Sequence, residues 1–128
     1  MMRTFNKQIA TTVPMNANYN SPYTPLKNIY TYSMAAIVTG TPTGTIKLQA
    51  SNDPETNDTQ TNSTGLSPAV GPTNWADIAG STFSLVAAGE TLWNVNAVGY
   101  NYVRVVYTDT SGGTSTATMN LIVNCKGV

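Results

Sequence analysis

YNYVRVVYTDTSGGTSTATMNLIVN, residues 100–124, decides the fold class. Val103, Val105 and Tyr107 fall on one parity of this stretch, and Tyr102, Arg104 and Val106 on the other. β-Branched and aromatic residues in this alternation predict a strand over Tyr100–Thr108. Thr110-Ser111-Gly112-Gly113 supplies a turn. Beyond it Ala117, Met119, Leu121 and Val123 alternate with Thr116, Thr118 and Asn120. Thr114–Asn124 is therefore a second strand with one apolar face.

Upstream, NIYTYSMAAIV (Asn28–Val38) mixes aromatic, aliphatic and β-branched residues and reads as a strand buried on both faces. Thr41-Pro42-Thr43-Gly44 is a turn. From Gly44 to Ser51 the pattern alternates, with Ile46, Leu48 and Ala50 inward and Thr45, Lys47 and Gln49 outward. These two segments predict an antiparallel hairpin. Asn52–Thr73 is a long polar loop rich in Pro, Gly, Asn and Thr. Shorter strands are expected over Asn74–Ile78, Thr82–Val86 and Glu90–Val95. No segment carries a helical period.

The number and spacing of these segments predict an all-β domain, an antiparallel β-sandwich of about six to eight strands, over residues 28–128. A small barrel is the alternative. Residues 1–27 read differently. PMNANYNSPYTP has little alternation, and Pro14, Pro22 and Pro25 each remove a backbone donor. An extended N-terminal arm is expected there, serving as an assembly device with Phe5, Ile9, Val13, Tyr19 and Tyr23 as its interface anchors. The other possibility is that Thr4–Val13 pairs as an edge strand through Phe5, Ile9 and Val13.

Composition narrows the function. Of 128 residues only 9% are charged, and six basic residues balance six acidic ones. An ordinary soluble protein carries about 25% charged residues. So neutral a surface protects a free monomer poorly against self-association; either abundant Thr, Asn and Ser keep the chain soluble or, the favoured reading, much of its surface is covered in an assembly. The cations Arg3, Lys7, Lys27, Lys47, Arg104 and Lys126 are scattered, and nucleic acid demands concentrated positive charge. No apolar run approaches the roughly 20 residues of a membrane span. Cys125 is the only cysteine, so no disulfide forms within the chain and a reducing compartment is compatible. The first twelve residues lack the apolar stretch of a secretory signal.

The chain contains no histidine, which removes the commonest general base and metal ligand. Triads and a structural zinc site are excluded with it. No phosphate-cradling glycine motif occurs. Asp53, Glu55 and Asp58 cluster in the long loop as candidate Ca²⁺ ligands, but their spacing does not match the twelve-residue EF-hand loop, and a solvated polar loop is the preferred reading. No catalytic residue, cofactor or metal is therefore expected. Trp75 and Phe83 are expected to anchor the core. Trp93, with the tyrosines and the long loop, is the basis of the rival expectation, a carbohydrate-binding module. Arg104 is expected to extend past the sheet or to pair with Asp77 or Asp109. Cys125 is expected to be a packed side chain.

GTIKLQASND (44–53), PTNWADIAGST (72–82), VAAGE (86–90), YNYVRVVYT (100–108) and SGGT (111–114) together resemble a pattern of small tailed-phage virion proteins encoded among head and tail genes. The resemblance covers residues 28–128; the N-terminal segment and most of the long loop lie outside it. It implies a non-enzymatic β-sandwich in the virion, assembled in the host cytoplasm. A capsid decoration or stabilising protein bound to the major capsid protein is the leading expectation; a head–tail or tail accessory part is the alternative. Other virion proteins and copies of itself are the implied partners.

Overall fold

The computed structural model describes residues 4–54, 72–96 and 98–127. It contains β1 (Thr4–Pro14), β2 (Tyr19–Asn20), β3 (Thr24–Pro25), β4 (Ile29–Thr39) and β5 (Gly44–Ser51). The expected loop falls largely on residues 55–71, outside the described residues; beyond them come β6 (Ala76–Asp77), β7 (Phe83–Leu85), β8 (Gly89–Val95), β9 (Tyr102–Asp109) and β10 (Thr118–Gly127). One sheet runs β1-β10-β4-β8. The other runs β2-β9-β5-β6, with β3 also on β9 and β7 also on β5. Every pairing is antiparallel. The protein is an all-β sandwich.

The pieces β2 and β3 share one edge position of the second sheet, interrupted around Pro22, and β6 and β7 share the other. With each pair taken as one broken strand, the connectivity is that of a jelly roll, the double-sheet form of eight strands. Short interrupted edges also blunt unwanted strand pairing.

Alternation builds the core between the sheets. Ala117 and Met119, Leu121, Val123 and Cys125 of β10 are all within 1% of full burial. Val103, Val105 and Tyr107 of β9 and Ile46 and Leu48 of β5 are wholly buried. Tyr32, Met34, Ala36 and Val38 of β4 complete the opposite wall. Each such aliphatic side chain stabilises the fold by about 1.5–3 kcal/mol relative to exposure. Two buried phenols are polar yet satisfied: Tyr107 Oη donates to Met15 O at 3.1 Å, and Tyr32 and Tyr100 hydroxyls meet at 2.6 Å.

Two expectations are corrected. β4 and β5 do not form a hairpin; they lie in different sheets, and the connection between them crosses the end of the sandwich. Gly40 makes this crossing at φ +96°, where a Cβ would lie 3.0 Å from Ala117 Cα. The inward faces of β4 and β5 then oppose each other across the core, an arrangement with the same alternation as a hairpin.

The extended arm is also not free over residues 4–27. β1 pairs with β10 from Thr4↔Lys126 to Pro14↔Thr118, the edge-strand possibility. The register shifts after Gln8 and Ala10 cancel: the first sets Ala10 opposite the buried Leu121, and the second, with Thr12 at φ +51°, returns the odd positions to the inner face, so that Val13 lies opposite Met119 in the core. Met15 and Leu26 are buried with it. The prolines fall where a donor is dispensable: Pro14 ends β1, and Pro25 lies on a broken edge strand.

Candidate assembly cleft

On β1, Phe5 pairs with Cys125 and Lys7 with Val123. Directly opposed residues share a face, and both partners are fully buried. Phe5 and Lys7 therefore project from the side of β1 that faces the other sheet. Ile9 follows at the first register shift and is half-buried. Below this edge the Pro22–Pro25 segment runs along β9, with Thr24 opposite Val103. The two edges do not close on each other. A cleft of about 610 Å³ stays open between them, walled by Phe5, Ile9, Pro22, Tyr23 and Val123.

Tyr23 is 40% exposed, and its ring meets Tyr102 edge-on with centroids 5.3 Å apart. Thr24 also lines the cleft but is 4% exposed, and its Oγ1 has no hydrogen-bond partner. Lys7 is the one charged residue of the lining, is exposed, and makes no ion pair among the described residues.

Three of the five expected interface anchors, Phe5, Ile9 and Tyr23, come together at this cleft. Val13 does not, because it is 7% exposed within the protein's own core. Tyr19 does not either: it pairs with Tyr107 and packs against the core, and burial pushes its hydroxyl pKa up. Sequence reasoning missed Lys7. The available signal was its parity, since Phe5, Lys7 and Ile9 alternate along one face where a core strand would carry an apolar residue.

A second surface cluster lies on the outer face of the β9/β5/β6 sheet. Gln49 is in register with Arg104 on one side and Asp77 on the other. Arg104 donates from Nε and Nη2 to Gln49 Oε1 at 3.0 and 2.7 Å, and its guanidinium lies 4.3 Å from the Trp75 ring. Asp77 accepts from Lys47 Nζ at 2.9 Å and from Gln49 Nε2 at 2.8 Å. These two bonds hold its carboxyl below the usual range, the Gln49 bond having the larger effect. The expected pairing of Arg104 with an acid is thus relayed through an amide.

Trp75 is the cover of this cluster rather than a core anchor, because it shares outward parity with Asp77. Phe83 is likewise outside the core, at 43% exposure. The core tryptophan is Trp93, 6% exposed, with Nε1 donating to Ser81 O at 2.8 Å. That placement withdraws Trp93 from any sugar-binding platform. Cys125 is a packed, fully buried side chain of the core.

Of the three acids weighed as Ca²⁺ ligands, Glu55 and Asp58 lie outside the described residues. Asp53 ties a neck between the two described segments that flank residues 55–71: its carboxylate accepts from Thr73 N at 2.7 Å, Asn74 N at 3.1 Å and Asn74 Nδ2 at 2.9 Å. Among the described residues no group of three or more potential metal ligands gathers.

No protein-family model matches the chain, and no curated protein matches it significantly in sequence. Among solved structures it is similar to the SPBc2 prophage-derived protein YomS, with a TM-score of 0.56 and 9% identity. That match covers 99% of this chain and 96% of the other. At this identity the likeness is one of fold, and it spans the whole sandwich, residues 4–27 included.

Proposed function

We propose that this chain is a non-enzymatic structural protein of a bacteriophage virion, a decoration protein that docks on the major capsid protein through the β1/β3 cleft. The observation that carries the reading is the end-to-end fold likeness to a prophage-derived protein. Three further features support it. Only 9% of the residues are charged and they balance to zero, as suits a surface that becomes covered. The resemblance of residues 28–128 to small tailed-phage virion proteins points the same way. The cleft offers apolar and aromatic anchors at an open sandwich edge, the composition of an interface core.

Function on this reading is mechanical. A jelly roll is a rigid platform, and the cleft gives it a shaped, partly apolar grip. Burying the cleft walls against a partner removes apolar surface from water at about 25 cal/mol per Å². Only the surplus over ordering and desolvation costs appears as affinity.

The test is quantitative mass spectrometry of purified particles from a phage that encodes the chain, with a Tyr23→Ala/Ile9→Ala double variant beside the parent. The expected result is a fixed copy number relative to the major capsid protein, falling sharply in the variant. Absence of the parent chain from particles overturns the proposal. Its presence only in tail or neck fractions moves the protein to the head–tail or tail accessory role.

A further inference from the structure

The cleft carries information about what fills it. Lys7 occupies an inner-face position, opposite the fully buried Val123, where neighbouring inner-face positions hold Phe5 and Ile9. An apolar residue there would let the two edges close on each other. A lysine keeps the edge open and places one uncompensated cation on the wall of an otherwise apolar and amide-lined space. Two other lining features point to an occupant. Thr24 is buried with its hydroxyl unpartnered, a condition that buried polar groups rarely keep. Tyr23 leaves 40% of its surface free although its ring is anchored on Tyr102.

We propose that the cleft receives an extended segment of a partner protein in which an aromatic or branched aliphatic side chain is followed by a carboxylate. The apolar side chain lies between Phe5, Ile9 and Tyr23. The carboxylate meets Lys7 at the rim. The occupant's backbone offers a polar group to Thr24, whose hydroxyl reaches it by turning about the Cα–Cβ bond. A space of about 610 Å³ is of the size that holds a ligand larger than a single side chain, since such sites run from about 300 to 1,000 Å³.

Pairing of a second copy along β1 is the less favoured occupant. The strand carries two register shifts, ends in Pro14 and presents Lys7 inward, which are the devices that protect an edge against another chain. This inference rests on the cleft being the docking contact and adds the chemistry of what docks.

The experiment is an NMR titration of the full 128-residue, ¹⁵N-labelled chain with two blocked peptides, acetyl-Thr-Phe-Val-Asp-amide and its Asn analogue. Amide shifts are expected at Phe5–Ile9, Tyr23 and Thr24. The acidic peptide should bind roughly two- to fivefold more tightly than the Asn analogue, the worth of an exposed ion pair. That preference should shrink as salt is raised. Lys7→Gln should erase the preference while retaining the apolar contact, and Lys7→Arg should keep it.

Equal binding of both peptides, shifts confined to other surfaces, or no shifts at all overturns the inference. So does a concentration-dependent shift of the same amides without peptide, which would assign the cleft to a second copy. The virion measurement is independent of this one. A chain found in particles but indifferent to the acidic peptide loses the inference and keeps the proposed function.

Discussion

The two lateral edges of the sandwich meet the same problem with opposite residues. At one edge β8 lies over β6 and β7. Trp93 fills the gap there, hydrogen-bonds to Ser81 O, and carries Phe83 against its ring with centroids 6.0 Å apart. At the other edge β1 lies over β2 and β3. The inner-face position there holds Lys7, and a cleft remains. A large aromatic closes an edge because its burial is worth more than that of any other side chain in a small β domain. A lysine keeps its ammonium in water and holds the edge open. The closed edge is thus a stability element. The open one has given up apolar closure, which natural sequences tolerate mainly at functional surfaces.

The largest break in this comparison is removal of the open edge altogether. Deleting residues 1–14 strips β10 of its partner along Thr4–Pro14 and takes Val13 out of the core. Exposing a long, apolar, unpaired β10 edge should yield unfolded or aggregated protein. Circular dichroism and size-exclusion chromatography check this. A soluble, cooperative sandwich from the truncated chain would mean that β1 is dispensable to the fold.

Next comes the contrast between the two tryptophans. Trp93→Ala should lower stability by about 3–5 kcal/mol, as for a buried aromatic that leaves a cavity. Trp75→Ala should cost about 1 kcal/mol or less, because it removes a partly exposed ring and a guanidinium contact of roughly 0.5–1 kcal/mol. Chemical denaturation of both variants measures the difference. Equal losses would show that Trp75 supports the β9/β5/β6 sheet far more than its exposure suggests.

A smaller effect sharpens the contrast from the open side. Lys7→Leu should raise stability by about 0.5–1 kcal/mol through added apolar contact with Phe5 and Ile9. It should also increase self-association, because an inward edge lysine is lost. Thermal melts and sedimentation at several concentrations read the two effects separately. A destabilised Lys7→Leu protein would mean that the lysine stem already packs as well as the site allows.

Much of this architecture was legible because alternation is a local signal. Val103, Val105 and Tyr107, and the run from Ala117 to Val123, face inward as their parity requires. What parity does not encode is which sheet a strand joins. The segments on either side of Gly40 alternate as a hairpin would, yet the chain crosses between sheets there. Residues 1–27 read as an arm because alternation fades after Val13 and Pro14, Pro22 and Pro25 each remove a donor; the shared parity of Phe5 and Val13, which the two one-residue register shifts together preserve, was the signal of the edge strand. Trp75 and Phe83 were misplaced for another reason. Very short strands offer too few residues to show which parity is inward, so residue size was followed instead. The cleft was half legible. Its aromatic and aliphatic anchors stood out, but Lys7 looked like any scattered surface cation until its register with Val123 was known.

The mildest perturbation is acid, and it acts on the neck formed by Asp53, Thr73 and Asn74 rather than on either edge. Three bonds from Thr73 and Asn74 stabilise the Asp53 carboxylate, with the Asn74 side chain contributing most, and hold its pKa below the usual carboxylate range. A carboxyl with a depressed folded-state pKa contributes stability above its unfolded value, near 3.9, and loses it as pH falls through the folded one. The neck should therefore be intact at neutral pH and loosen only in strong acid. Asp53 lies at the surface and partly exposed, so the consequence is local rather than global. Hydrogen exchange, corrected for the intrinsic pH dependence, should show the Thr73 and Asn74 amides losing protection only below the ordinary carboxylate range, as pH falls through the depressed folded-state pKa of Asp53. The amides of β9 and β10 should stay protected over the same range. Asp53→Asn should remove the acid-dependent step while leaving the melting temperature at pH 7 nearly unchanged. An acid step that survives Asp53→Asn would assign it to Asp77 or Asp109, whose carboxyls are also held below the usual range. Simultaneous loss of protection in the neck, β9 and β10 would show instead that the neck and the sandwich open as one unit.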